Sequence, residues 1–343
     1  MAKFGFGQAV PRTEDARLLT GGGRYTDDVA LPGQAQGYVL RSPHAHAEIV
    51  SIDVDAARGA PGVLAVLTGA DLEAEGVGHL QNLFPLRQKD GQPLVTPPRP
   101  ALAQGRVRHV GDPVAFVVAE TYEQARDAAE LIAIDYRELP AVVELGQALD
   151  SGAPQVWDQA PGNLCFAWEK GDAAGVEAGF AAAARVVSLD LVNNRVVASP
   201  MEGRACVGAV DPAGRLVLHV SSQGVHNLRR QLAKIFSVEE AQVHVLTGDV
   251  GGGFGMKIFM YPEYVLAVHA ARRIGRPVKW TSERSEAFLS DDHGRDNRTR
   301  AELALDADGR FLALRVRTDA NLGAYLSNFA AFIPTEAGTG MLA

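Results

Sequence analysis

The chain has 343 residues, of which 47% are hydrophobic and 22% charged, and carries a net charge of -8. That composition suits two ordinary soluble domains or one large one and gives no sign of disorder. With no basic stripe interleaved with aromatics, the acidic balance excludes general nucleic-acid binding, and no uninterrupted apolar run reaches membrane-spanning length.

Only two cysteines are present, Cys165 and Cys206, with no CxxC spacing. A disulfide scaffold, a four-cysteine zinc site and a self-contained iron–sulfur cluster are therefore unsupported, and both thiols read as inert core residues. The start, Met1 to Gly7, lacks the apolar stretch of a signal peptide, so a reducing cytoplasm is expected.

Residues 1 to about 20 are polar and read as irregular. The cluster Gly21-Gly22-Gly23 reads as a surface turn, because no buried apolar strand leads into it. Strands are expected over 36–41 and 49–54. His44, His46 and Glu48 have metal-ligand spacing, but no third distant ligand is evident and a solvated strand edge is the preferred reading. Val63 to Thr68 predicts another strand, with Asp71 as the cap of a following helix. From Gly76 to Gln104 the text is rich in proline and glutamine, and Thr96-Pro97-Pro98-Arg99-Pro100 forbids regular structure, which predicts a long surface excursion. Pro113 to Ala119 predicts a buried strand, Thr121 caps a helix, and residues 132–136 return as a strand. Strand, helix and strand in so short an interval indicate an α/β domain over 1–137.

Residues 138–163 are loop-like, with Pro140, Gly146, Gly152, Pro154, Pro161 and Gly162, and are assigned as a linker to a second region, 164–343. There, strands are expected over 185–191, 205–210 and 215–221, the last two joined by the turn Asp211-Pro212-Ala213-Gly214. A second hairpin, 300–305 and 311–317, turns at Asp306-Ala307-Asp308-Gly309. Between the hairpins lie two helices. One follows Ser221-Ser222-Gln223-Gly224 and carries Val225, Leu228, Leu232, Ile235 and Phe236 on one face. The other starts at Pro262 and ends at Gly275. It is preceded by the strand 243–246 and by Gly248-Asp249-Val250-Gly251-Gly252-Gly253-Phe254-Gly255-Met256-Lys257, in which five of ten residues are glycine. So much glycine is expected where the backbone turns through positive φ or approaches a ligand, and such a loop can aim several N–H groups at one polar partner. The order of elements places Gln223 and the glycine loop at comparable strand exits, so the two could line one site.

Neither familiar phosphate motif fits. A P-loop requires Gly-Lys-Ser/Thr, whereas Met256 precedes and Ile258 follows Lys257, and a dinucleotide fingerprint requires a small residue where Met256 stands. On composition alone a plain structural loop remains the simplest reading, and Gln223 an ordinary polar turn residue.

The string Gly251-Gly252-Gly253-Phe254-Gly255-Met256-Lys257, with Ser222-Gln223 before it and Gly275-Arg276-Pro277-Val278-Lys279 after it, resembles the large subunit of the xanthine oxidase family of molybdenum hydroxylases. The similarity extends along the chain, through Arg17-Leu18-Leu19-Thr20-Gly21-Gly22-Gly23-Arg24-Tyr25-Thr26-Asp27-Asp28, Arg41-Ser42-Pro43-His44-Ala45-His46-Ala47, Gly111-Asp112-Pro113-Val114-Ala115 and Ser199-Pro200-Met201-Glu202-Gly203-Arg204. The resemblance implies a mixed α+β and α/β fold. An N-terminal hammerhead-type domain would be followed by the first part of a molybdopterin-binding domain.

It also implies a molybdenum centre held by molybdopterin cytosine dinucleotide, with no side chain of this chain coordinating the metal. Gln223 would approach a molybdenum oxo ligand, and Gly224, Gly251, Gly252, Gly253, Phe254 and Gly255 would line the cofactor. Met256-Lys257-Ile258 departs from the Gly-Lys-Glu of purine-oxidising members and resembles the bacterial branch with aerobic carbon monoxide dehydrogenase and aldehyde or heterocycle dehydrogenases. The implied activity is oxidation of a small molecule with water as oxygen source. Electrons would leave through partner subunits carrying a 2Fe-2S cluster and FAD. Family large subunits are longer, and their C-terminal catalytic glutamate has no counterpart here, so this chain is expected to be the N-terminal portion, inactive alone, with the remaining C-terminal half as a partner. Two other readings stay open: a non-catalytic assembly or cofactor-carrier protein with the same fold, and a nucleotide-binding enzyme using Lys257.

Overall fold

The computed structural model describes Gly7 and residues 9–337. In chain order its strands are β1 (Ala35–Arg41), β2 (Ala47–Asp53), β3 (Val63–Thr68), β4 (Arg106–Val107), β5 (Pro113–Ala119), β6 (Ala133–Glu138), β7 (Arg185–Asn193), β8 (Ala205–Val210), β9 (Leu216–Val220), β10 (Val243–Leu246), β11 (Val278–Thr281), β12 (Asn297–Leu305) and β13 (Phe311–Ala320). Seven of them form one sheet in the order β10-β9-β8-β11-β1-β5-β3, with smaller sheets β13-β12-β7 and β4-β2-β6. β1 and β11, on opposite sides of the 138–163 stretch, pair in parallel from Ala35 opposite Val278.

β5 shows why this large sheet forms. Its residues are apolar without interruption and all buried, as a strand covered on both faces requires. Ala115, Val117 and Ala119 enter one core with Ala125, Ala128 and Ala129 of the helix Tyr122–Ala129. Phe116 and Val118 enter the other, which contains the helix Pro262–Ile274. That second helix is buried from Pro262 through Ala271, and Gly275 ends it at φ 68°, its N–H donating to the Ala271 carbonyl. The sheet's period of two thus divides one strand between two cores.

The helix Pro262–Ile274 lies so close to β8 that a Cβ on Gly208 would collide with the backbone carbonyl of Ala267. Gly208→Ala must therefore push helix and sheet apart, and is expected to destabilise the fold by about 1–3 kcal/mol as overpacking does. Urea unfolding measures this; a midpoint equal to the parent's would show that the helix shifts freely.

Several expectations need correction. Residues 76–104 lack regular structure, as their prolines dictate, but they are no surface excursion: Leu80, Leu94, Arg99, Ala101 and Leu102 are buried. Apolar residues at irregular spacing bury themselves without a periodic face. The helix expected at Asp71 begins at Gly69, with Thr68 as its cap and Asp71 accepting the Thr68 N–H in return. Part of the N-terminus expected to be irregular, Asp15–Leu19, is helical, and Ala173–Ala181 forms a helix whose alanines and glycines give no apolar stripe to announce it. β7 is exposed along its whole length, Val192 at 71%.

Candidate functional site

β9 and β10 are parallel neighbours, with Leu218 opposite Val245 and His219 opposite Leu246. Their carboxyl ends therefore deliver Gln223 and the glycine-rich loop to the same edge of the sheet, as the order of elements suggested. Gln223 meets the loop directly: the Gly255 N–H donates to its Oε1 at 3.0 Å, and the Gln223 N–H donates to the Lys257 carbonyl at 3.1 Å. A Cβ on Gly253 would stand 2.5 Å from the Gln223 Cδ, so a side chain at this position would push the amide out of its place.

With Oε1 committed, Gln223 Nε2 finds no acceptor among the described residues, and the residue is exposed. The same holds for the backbone N–H groups of Gly252, Gly253 and Phe254, whereas those of Gly251, Gly255 and Met256 are paired. Positive φ at Gly252 (95°), Phe254 (52°) and Gly255 (85°) turns this stretch back on itself, a conformation costly for the aromatic residue. Phe254 and Met201 are exposed at 75% and 92%, giving the loop an apolar rim. Gly224 caps the helix Val225–Ile235, whose unpaired N-terminal donors and dipole open beside Gln223. The arrangement is a cluster of open hydrogen-bond donors suited to a polar or anionic group.

Glu202 and Ser221, to which the sequence assigns no role, fix this loop together with Lys257. Glu202 Oε2 accepts from the Gly251 N–H (2.7 Å), the Ser221 hydroxyl (2.6 Å) and Lys257 Nζ (2.7 Å). Lys257 Nζ donates also to Ser221 Oγ at 2.9 Å, and the Glu202 N–H donates to the Gly251 carbonyl at 3.1 Å. Lys257 is fully buried, and that burial pushes its amine below the usual value. It therefore clamps the loop from behind and cannot reach a nucleotide phosphate, which removes the reading that gave it that role. Glu202 lies 55 residues from Lys257, a separation no local pattern reveals.

The second glycine cluster is also more than a surface turn. Asp249 takes both terminal nitrogens of Arg17 at 2.6 Å and the Arg24 N–H at 2.7 Å, and its own N–H donates to the Arg24 carbonyl. The N-terminal segment is thus fastened to the start of the glycine-rich loop. The histidine cluster behaves differently from the solvated edge expected of it. His46 is buried, with Nδ1 2.9 Å from the Pro140 carbonyl, while Glu48 pairs with Arg106 and Arg137. Among the described residues no group of three or more His, Cys, Asp or Glu is placed to hold a metal ion. Cys206 is buried and Cys165 half-buried; burial pushes both thiols up, away from reactive thiolates.

Behind the clamp lies a buried ion network. Arg204, with no exposed surface, donates to Asp291 (2.6 Å), Glu263 (2.7 Å) and Ser290 (2.8 Å) and lies over the Tyr261 ring at 3.7 Å. Arg41 adds bonds to Glu263 at 2.6 Å and Glu286 at 2.9 Å. Burial alone would raise the Glu263 carboxyl, but Arg204 and Arg41 bring it down to about 2. A depressed carboxylate stabilises fully above its ordinary value and loses that contribution as pH falls toward the native one. The melting temperature is accordingly expected to drop progressively between pH 5 and 3; a flat profile in that interval would contradict the assignment.

Comparison with known proteins now bears on this geometry. Residues 20–140 match the family model described as aldehyde oxidase and xanthine dehydrogenase, a/b hammerhead domain, and residues 156–343 match the molybdopterin cofactor-binding domain. The chain belongs to the xanthine oxidase family of molybdenum hydroxylases. Its mixed fold, a hammerhead domain followed by part of a molybdopterin-binding domain, is the one expected from the resemblance.

The carbon monoxide dehydrogenase large chain of Afipia carboxidovorans is 39% identical to this chain over 335 residues, covering 94% of it and 40% of the relative. The nicotine 6-hydroxylase large subunit of Paenarthrobacter nicotinovorans is 36% identical over 322 residues, covering 93% and 38%. Among solved structures, quinoline 2-oxidoreductase from Pseudomonas putida 86 superposes with a TM-score of 0.81 at 39% identity, over 91% of this chain and 39% of that one. The chain thus spans about 40% of the length of the curated relatives it matches. No helix among the described residues is long and apolar enough to cross a membrane.

Proposed function

We propose that the chain forms the cofactor-cradling part of a molybdenum-dependent hydroxylase or dehydrogenase large subunit. The complete assembly would oxidise a small molecule of the aldehyde, N-heterocycle or carbon monoxide class with water as oxygen source. Electrons would pass to iron–sulfur and FAD subunits, and the remainder of the large subunit would complete the site. The observation that carries this reading is the set of donors left open at one sheet edge: Gln223 Nε2 and the N–H groups of Gly252, Gly253 and Phe254. When bound, a molybdenum–pterin group, here proposed in its cytosine dinucleotide form, supplies the two-electron redox centre.

The residues present fit such a group. Gln223, its carbonyl side held by Gly255, presents an amide donor with fixed orientation, suited to an oxo-type acceptor. Gly251, Gly252, Gly253, Gly255 and Gly224 would let the backbone approach without side chains, and Phe254 and Met201 offer exposed apolar surface beside them. A reducing cytoplasmic setting accords with two free cysteines.

Metal and pterin analysis of this chain, purified with the rest of its subunit and its electron-carrier partners, tests the proposal. About one molybdenum per assembly is expected, with a large loss in Gln223→Ala or Gly253→Ala. A folded assembly free of molybdenum and pterin would overturn it. Cofactor retention without turnover on any of the three substrate classes would favour the carrier protein instead.

A further inference from the structure

The proline-rich run that the cofactor site does not use ends at a second, separate concavity. Pro98-Arg99-Pro100 enters a cavity of about 240 Å³, whose walls also include Arg106, Arg108 and Trp157. Arg99 is 8% exposed, yet none of its guanidinium N–H groups makes a hydrogen bond among the described residues. Its one carboxylate neighbour, Asp292, stands at 3.7 Å and already accepts the Tyr325 hydroxyl at 2.6 Å. The Arg99 guanidinium carbon sits over the Tyr325 ring, 3.6 Å from its centroid, and both residues line the cavity.

Arg108, which also lines the cavity, repeats the pattern. It stacks over the Trp157 ring at 3.4 Å, and its side chain donates only to neutral carbonyls, those of Val156 (3.1 Å) and Arg106 (3.2 Å). Burial without a compensating carboxylate bond pushes it down to about 10. The cavity's acidic groups are engaged elsewhere: Glu263 binds Arg204 and Arg41, and Asp112 accepts the Arg108 backbone N–H at 2.9 Å. Burial lowers His109 as well, so it adds no charge at neutral pH.

Asp292 at 3.7 Å offsets the Arg99 charge without closing a hydrogen bond to it, so the forks of Arg99 and Arg108 keep N–H donors that no carboxylate fills, and a forked donor matches an oxyanion in geometry as well as charge. We propose that this cavity is a binding site for a small oxyanion, a phosphoryl or carboxylate group, held between Arg99 and Arg108. The prolines flanking Arg99 fix the backbone, and the two aromatic rings fix the guanidinium planes, so little order remains to be gained on binding.

Calorimetric titration of this chain, purified with the rest of its subunit, with inorganic phosphate and, separately, with malonate, in a buffer of low ionic strength free of other oxyanions, tests this. One saturable site is expected, with affinity reduced at least tenfold in Arg99→Met and in Arg108→Met. The second variant guards against misfolding of the first, since Arg108 is only half-buried. Tighter binding of phosphate identifies a phosphoryl ligand, and tighter binding of malonate a carboxylate. No saturable binding of either anion, or equal affinity in the parent and in folded variants, would overturn the proposal.

Discussion

Arg204→Met is expected to destabilise the chain by about 3–5 kcal/mol, the cost of breaking a buried ion network by removing one member. Among the described residues Arg204 is the sole donor to Asp291 Oδ1, and it shares Glu263 with Arg41, so its loss strands one carboxylate and weakens the hold on another. Methionine keeps most of the volume, which separates the charge effect from a packing defect. Urea unfolding of parent and variant gives the difference, and Arg204→Met combined with Asp291→Asn should recover part of it. A loss below about 1 kcal/mol in the single variant would mean that water reaches the carboxylates and that the network is not the anchor described.

Glu202→Gln is expected to release the glycine-rich loop while leaving the sheet intact. A neutral amide can still accept the Gly251 N–H but no longer balances the buried Lys257 ammonium, so the bonds from Gly251 and Ser221 compete with a charge in need of a partner. Amide exchange at Gly251 is expected to quicken at least tenfold, corresponding to about 1.4 kcal/mol of lost local protection, with no change in the helix Pro262–Ile274. In the complete assembly, molybdenum content should fall in parallel. Glu202→Gln with Lys257→Met should restore global stability without restoring loop protection, because Gly251 still lacks its charged acceptor. Exchange at Gly251 unchanged from the parent would show that the loop holds its shape without the clamp.

Much of the fold was legible in the residues themselves, where the signal is local. The uninterrupted apolar run Pro113–Ala119 announced a strand covered on both faces, and Pro262 with Gly275 marked both ends of the helix that covers it. Gln223 and the glycine-rich loop could be placed together because both follow strands in one repeating order, and the structure joins them by a hydrogen bond. The motifs also carried the family, since a string such as Gly251 to Lys257 is specific in combination.

What the sequence could not determine depends on groups distant in the chain. The acidic partners of Lys257 and Arg204, the tie from Arg17 across 232 positions to Asp249, and the oxyanion cavity around Arg99 all arise from tertiary contacts. Charge pairing has no periodicity and leaves no pattern along the chain, and burial at irregular spacing, as over 76–104, has none either. Sequence alone marked most of the strands, both ends of the helix Pro262–Ile274 and the family of this protein. Which charges are buried, which donors are left open and which segments hold the loop were decided only when the chain closed on itself, because electrostatic and hydrogen-bond energies depend on distance and desolvation rather than on order in the chain.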